Sequence, residues 1–148
     1  MARKTATVAL EGGDLRFAGR TGSGHALVLD NAAGGTGMQP AELVPLALAG
    51  CTAMDVISIL RKKRQDVRRY EVEAQGTQQD EHPNAFTQID VVHRIEGPGI
   101  DIEAVRRAIE LSATKYCSVG ATLSSGLTEI HHAYVVRDLT TGTEQADE

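Results

Sequence analysis

Cys51 and Cys117 are the two thiols of this 148-residue chain, and they carry its widest choice of chemistry. A thiolate attacks electrophilic oxygen, sulfur or carbonyl carbon. An unperturbed thiol titrates near ~8.5, so a working cysteine needs a positive neighbour at neutral pH. Two readings follow. Either both are inert packing thiols, or one attacks a substrate and the other captures the oxidised sulfur. Cys51 lies in Ala49-Gly50-Cys51-Thr52-Ala53, where small neighbours either leave room for a substrate or let helices approach closely. No CxxC occurs, so neither a zinc knuckle nor a thioredoxin-type motif is indicated. The stretch from Met1 to Thr7 lacks the apolar run of a signal peptide, which points to the reducing cytoplasm, where a structural disulfide is disfavoured.

Other chemistry-bearing residues are less patterned. Asp55 stands one helical turn after Cys51; a carboxylate there raises a thiol's pKa, so it reads as a packing or capping partner. His25, His82, His93, His131 and His132 form no ligand motif. His93 falls on the apolar face of its strand and reads as a satisfied core histidine. His131 and His132 point to opposite strand faces. The glycines of Ala33-Gly34-Gly35-Thr36-Gly37 lead into no Walker lysine, so a phosphate loop is not expected.

The elements that must position the cysteines can be read from periodicity. Ala6, Val8 and Leu10 alternate, then Leu15 and Phe17, then Leu27 and Leu29, with Gly12-Gly13 and the 19–24 stretch as turns. This predicts a small β-meander. A long helix begins near Pro40 and ends in the cations Arg61 to Arg64, which suit a helix C-terminus. It is apolar almost all round, so it should be packed on several sides, in a domain centre or a dimer. Pro45 should break or kink it.

Alternation at Tyr70, Val72 and Ala74, then at Ile89, Val91 and Ile95, predicts a long hairpin. Asp101 caps a second helix through about Lys115. A short helix follows around Cys117 to Leu123, then a strand over Leu127 to Arg137. The order is βββ-α-ββ-αα-β, an α+β domain over residues 1–137, with a polar, loose tail over 138–148.

Composition narrows the function classes. There are 15 basic against 20 acidic residues, aromatics are 3% and Trp is absent, which argues against nucleic-acid binding and base-stacking platforms. Leu43 to Leu60 approaches membrane length but contains Pro45, Gly50, Thr52, Asp55 and Ser58, so a buried helix and no membrane partner are expected.

Two stretches resemble a known family. Gln39-Pro40-Ala41-Glu42-Leu43 with Leu48-Ala49-Gly50-Cys51-Thr52-Ala53-Met54-Asp55-Val56 is similar to the central-helix motif of the OsmC/Ohr family, the osmotically inducible and organic hydroperoxide resistance proteins. Leu111-Ser112-Ala113-Thr114-Lys115-Tyr116-Cys117-Ser118-Val119 resembles its second cysteine motif. Arg61-Lys62-Lys63-Arg64-Gln65-Asp66-Val67 looks like the YhfA-like branch. The resemblance runs from about Val8 to Arg137.

It implies an intertwined homodimer with the OsmC-like fold and active sites at the interface. It implies a peroxidase for organic or lipid hydroperoxides, with Cys51 as the peroxidatic thiolate and Cys117 as the resolving thiol. The reductant would be a dithiol such as a lipoyl group, with no metal or prosthetic group. The family's activating arginine maps onto Arg20 in Gly19-Arg20-Thr21-Gly22, with Arg16 as competitor. Its orienting glutamate maps onto Glu42, although the motif places it one position earlier, at Ala41. Glu42 lies about 900° of helical rotation before Cys51, on the opposite face of a straight helix, so a kink at Pro45 or a role across the interface would be needed. Two alternatives stand beside the peroxidase: a non-enzymatic binder of a hydrophobic molecule with structural cysteines, and a different thiol reaction such as acyl transfer.

Overall fold

Short alternating segments at the N-terminus pair into the expected meander: β1 (Ala6–Leu10), β2 (Phe17–Thr21) and β3 (Ala26–Leu29) form one antiparallel sheet in that order. Thr7 faces Arg20, and Arg20 faces Ala26 across the next pair. The structure is a computed structural model that describes residues 1–12 and 14–147. Gly12 takes a positive φ of 61°, as the first turn requires; Gly13, the other expected turn residue, and Glu148 lie outside the described residues. The chain divides into two units, Met1–Val44 and Pro45–Glu148.

In the first unit, the 30–37 loop is organised by Asp30. Its carboxylate accepts from the Asn31 and Thr36 amides and from the Thr36 hydroxyl, and these bonds hold it below the usual carboxylate range. A single 3₁₀ turn, Pro40–Glu42, leads into α1 (Leu43–Lys62).

The expected break at Pro45 does not occur. Pro45 is the third residue of α1, within the first turn, where a backbone N–H has no intrahelical acceptor to lose. The helix closes at Arg64, which adopts φ 58°, while the Gln65 amide donates to the Leu60 carbonyl at 2.9 Å. One stripe of α1, Leu48, Thr52, Val56 and Leu60, is buried, whereas Leu46 is 54% and Met54 74% exposed. Within one chain this helix is covered along a single i, i+4 line.

That stripe is part of the second unit's core. β4 (Arg69–Gln78) and β5 (Phe86–Gly97) form the predicted antiparallel hairpin, and β6 (Glu129–Asp138) lies parallel to β5. A parallel pair needs a crossover, here supplied by α2 (Ile102–Leu111), a π-helical turn (Ser112–Tyr116) and α3 (Ser118–Ser124). Asp101 caps α2 by accepting from the Glu103 amide at 3.0 Å. Val56, Leu60, Ile95, Val105, Ala108 and Val136 are central to the core. The polar end of the chain is not free over its described length: β7 (Glu144–Asp147) pairs antiparallel with β6, and Arg106 reaches Asp147 at 3.1 Å.

Candidate functional site

The second unit brings the two cysteines together. Cys51 sits midway along α1, half-buried. Cys117 is 4% exposed and is the residue that opens α3. α2 does not run on to Lys115 as expected. It ends at Leu111, and the chain widens into the π turn, closed by the Cys117 amide donating to the Ser112 carbonyl at 2.9 Å. A single π turn inside a helical run commonly marks a functional site, because it re-aims the side chains beside it. Here it leaves Cys117 with extended backbone (φ −74°, ψ 101°), and its sulfur accepts the Gly120 amide at 3.2 Å. A Cβ at Gly120 would stand 3.3 Å from that sulfur, so a residue without a side chain suits the position.

One turn along α1 from Cys51, Asp55 joins the pair. The Cys51 sulfur, an Asp55 carboxylate oxygen and the Cys117 sulfur all lie within 4.8 Å of one another. The Ser112 hydroxyl is 2.9 Å from Asp55 Oδ2 and 3.0 Å from Thr52 Oγ1, and its one proton can serve either acceptor. Thus Asp55, read from sequence as a packing or capping partner, accepts a hydrogen bond at the centre of the site. In the sequence Ser112 stands out only as a member of the second cysteine motif.

Burial pushes the Cys117 thiol up to about 11. The contact with Cys51 and the Asp55 charge push the same way, and the Gly120 amide opposes them. Cys117 is therefore a protonated thiol at neutral pH, placed to donate its S–H toward Cys51. The groups acting on it include no cation. Cys117 also lines a cleft of about 550 Å³ with Leu48, Ala113, Gly120, Leu127 and His132.

Arg20 and Glu42 belong to the first unit. Arg20 lies exposed on β2 and lines a cleft of about 210 Å³ with His25, Leu27 and Leu43. Glu42 is exposed, and its carboxylate accepts the Gln39 amide at 2.9 Å, a local capping bond at the start of the helical segment.

The histidines sort as the pattern predicted. His93 is fully buried and satisfied: Nδ1 is 2.7 Å from the Tyr70 hydroxyl and Nε2 is 3.2 Å from His132 Nδ1. His131 faces outward, near Asp90 and Glu129.

A family model described as OsmC-like protein matches residues 33–131, a stretch that spans both cysteines. The chain belongs to the OsmC-like family. It is 41% identical over 122 residues to Protein YhfA of Escherichia coli (strain K12), covering 82% of this chain and 90% of that protein. The fold is similar to the OsmC-like protein of Mycoplasma pneumoniae (TM-score 0.78, 13% identity, 91% of this chain and 97% of that one). It is also similar to the organic hydroperoxide resistance protein OhrB of Bacillus subtilis (TM-score 0.64, 15% identity, 90% and 98%). The OsmC-like fold predicted from the two cysteine motifs is thus the observed one, two sheets and three helices. The apolar segment Pro40–Lys62 has the length and hydropathy of a membrane span, and its Leu48, Thr52, Val56 and Leu60 stripe is buried within the chain.

Proposed function

We propose that this protein is a cytoplasmic thiol peroxidase that reduces organic or lipid hydroperoxides through Cys51 and Cys117. The observation that carries the reading is the meeting of the two sulfurs from elements far apart in sequence, with Cys117 held protonated beside Cys51. The Cys51 thiolate attacks the terminal peroxide oxygen; the O–O bond breaks, and the alkoxide leaves and takes a proton to become the alcohol. Cys51 is then a sulfenic acid. Cys117 displaces its hydroxyl as water, forming the disulfide. An external dithiol, such as a lipoyl group, reopens it by exchange and is itself oxidised.

The charge that favours the thiolate is assigned to Arg20, with Glu42 orienting the guanidinium. The need for it follows from the site itself, where two sulfurs and a carboxylate meet and none of the groups acting on Cys117 is cationic. A homodimer accounts for the apolar surface one chain leaves open: Leu46 and Met54 on α1, and Val8 and Leu10 on β1. An apolar access route favours substrates with longer tails, by about 0.8 kcal/mol per methylene buried, or about fourfold in kcat/KM.

The test is to mix reduced protein with one equivalent of cumene hydroperoxide and count thiols over seconds, with Cys51→Ser and Cys117→Ser as controls. Loss of both thiols to an intramolecular disulfide, with Cys117→Ser stopping at a Cys51 sulfenic acid, supports the cycle. Thiols that survive for minutes sink it.

A further inference from the structure

We propose that Cys51, Asp55 and Cys117 form, in the reduced protein, a binding site for one thiophilic divalent cation of the zinc class. The site is independent of the peroxidase reading, since it needs no hydroperoxide and no turnover.

The argument starts from the donor set. Two thiolates and one carboxylate are soft and borderline donors that suit Zn²⁺ and disfavour Mg²⁺ or Ca²⁺, which take oxygen alone. Tetrahedral zinc holds sulfur at ~2.3 Å and carboxylate oxygen at ~2.0–2.2 Å, so its ligand atoms stand about 3.5–3.8 Å apart. The three donor atoms here lie within 4.8 Å of one another, so side-chain rotations of about 1 Å complete the geometry. Cys51 and Asp55 are one turn apart on α1, the i, i+4 spacing that puts two ligands on one helix face. Three protein ligands leave the fourth position to water.

Two further features fit a metal centre. Ligating carboxylates are themselves hydrogen-bonded, and the Ser112 hydroxyl stands 2.9 Å from Asp55 Oδ2. Cys117 accepts the Gly120 amide at 3.2 Å, a bond that suits a thiolate sulfur. With both sulfurs ionised the three groups carry three negative charges at close range, and a divalent cation offsets most of that repulsion while displacing the two thiol protons. Half-buried Cys51 and Asp55 leave the site open to entry. Oxidation to the Cys51–Cys117 disulfide removes two of the three donors, so occupancy reports the redox state of the pair. A bound cation in turn withholds both sulfurs from an oxidant.

Cobalt(II) is the probe. Reduced, chelator-treated full-length protein is titrated with Co²⁺ and followed by absorption. The expected result is one ion per chain, with thiolate-to-cobalt charge transfer in the near ultraviolet and tetrahedral ligand-field bands in the visible. Zn²⁺ should displace the cobalt. Wild type oxidised with diamide must lose the bands, a control that needs no substitution. Cys51→Ser and Asp55→Asn should each weaken binding by at least tenfold. Ser112→Ala, which keeps all three ligands, should weaken it by about 10- to 100-fold. Absence of thiolate bands in the reduced wild type overturns the proposal, as do bands that persist in the oxidised protein or unchanged in Cys51→Ser. So does cobalt bound without sulfur ligation, as it would be at exposed His131, whose Nδ1 lies 3.3 Å from Asp90 and whose Nε2 lies 3.6 Å from Glu129.

Discussion

Lowering the pH from 6.5 to 4.5 should destabilise the Pro45–Glu148 unit through His93. The ring is 0% exposed and lies between the Tyr70 hydroxyl and the partly buried His132 ring. Tyr70 is pushed up by burial and by the Asp55 charge, so it keeps its proton and donates to Nδ1. His93 then carries its own proton on Nε2 and donates to His132. A second proton on His93 would make the Tyr70 hydroxyl turn its own proton away and give up its donation to Nδ1. Burial, and next the His132 charge, depress His93 from 6.5 to about 3. The unfolded chain therefore binds more protons than the native one between those values. The stability contributed is complete above pH 6.5 and is lost as the pH falls, by about 1.4 kcal/mol per unit. From pH 6.5, where the unfolded imidazole is already half protonated, down to 4.5 that is about 2.3 kcal/mol, a shift of about 1–2 M in the urea midpoint. His132, depressed by burial, acts in the same direction. The lowered carboxylates Asp30, Asp66 and Asp138 act only as the pH falls below their ordinary 3.8, so the window isolates the imidazoles. The assay is urea unfolding at three pH values for the wild type and for His93→Phe with Tyr70→Phe. The double variant removes both partners of the Tyr70–His93 bond together, keeps two rings, and leaves His132 as the imidazole that still titrates. Its pH slope should be less than half that of the wild type. A wild-type midpoint constant across the window, or equal slopes in both proteins, refutes the reasoning.

Four other outcomes are expected. Asp101→Ala removes the α2 cap and should cost about 1 kcal/mol, read as a lower Tm. Ile95→Ala empties a fully buried core position and should cost about 2–5 kcal/mol in urea unfolding. Gly97→Ala puts a methyl against the Asp66 carbonyl and 2.8 Å from Ile100 Cδ1, and should cost about 1–3 kcal/mol by the same measurement, although it adds only one carbon. Arg20→Ala should lower kcat/KM for cumene hydroperoxide by about 100-fold or more, whereas Arg16→Ala should stay within about twofold; equal losses would reassign the activating charge.

The N-terminal meander, the long hairpin and the Asp101 cap were legible because each is set by local alternation or by one capping residue. Pro45 misled because a proline is disruptive only beyond the first turn, and where that turn begins depended on a boundary that periodicity locates poorly. The π turn was missed because Ser112 to Tyr116 has no sequence pattern distinct from an ordinary helix end. Which stripe of α1 its own chain buries was not legible either. Near-uniform apolarity shows that a helix avoids water without showing which side its own chain covers.

For the candidate site, the sequence alone determined the chemistry available. It held two thiols with small or hydroxyl-bearing neighbours, a carboxylate one turn from the first, and two motifs that place the chain in its family. Tertiary structure decided which of these groups meet. Cys51 reaches Cys117 because the β5–α2–α3–β6 crossover carries the second cysteine back onto α1, where the π turn aims it at the first. Only there does Ser112 find Asp55 and Thr52, and only there does burial push the Cys117 thiol further up. The reason is physical: periodicity reports which face of a segment is apolar, whereas contacts between distant segments depend on the pairing and packing of the whole unit.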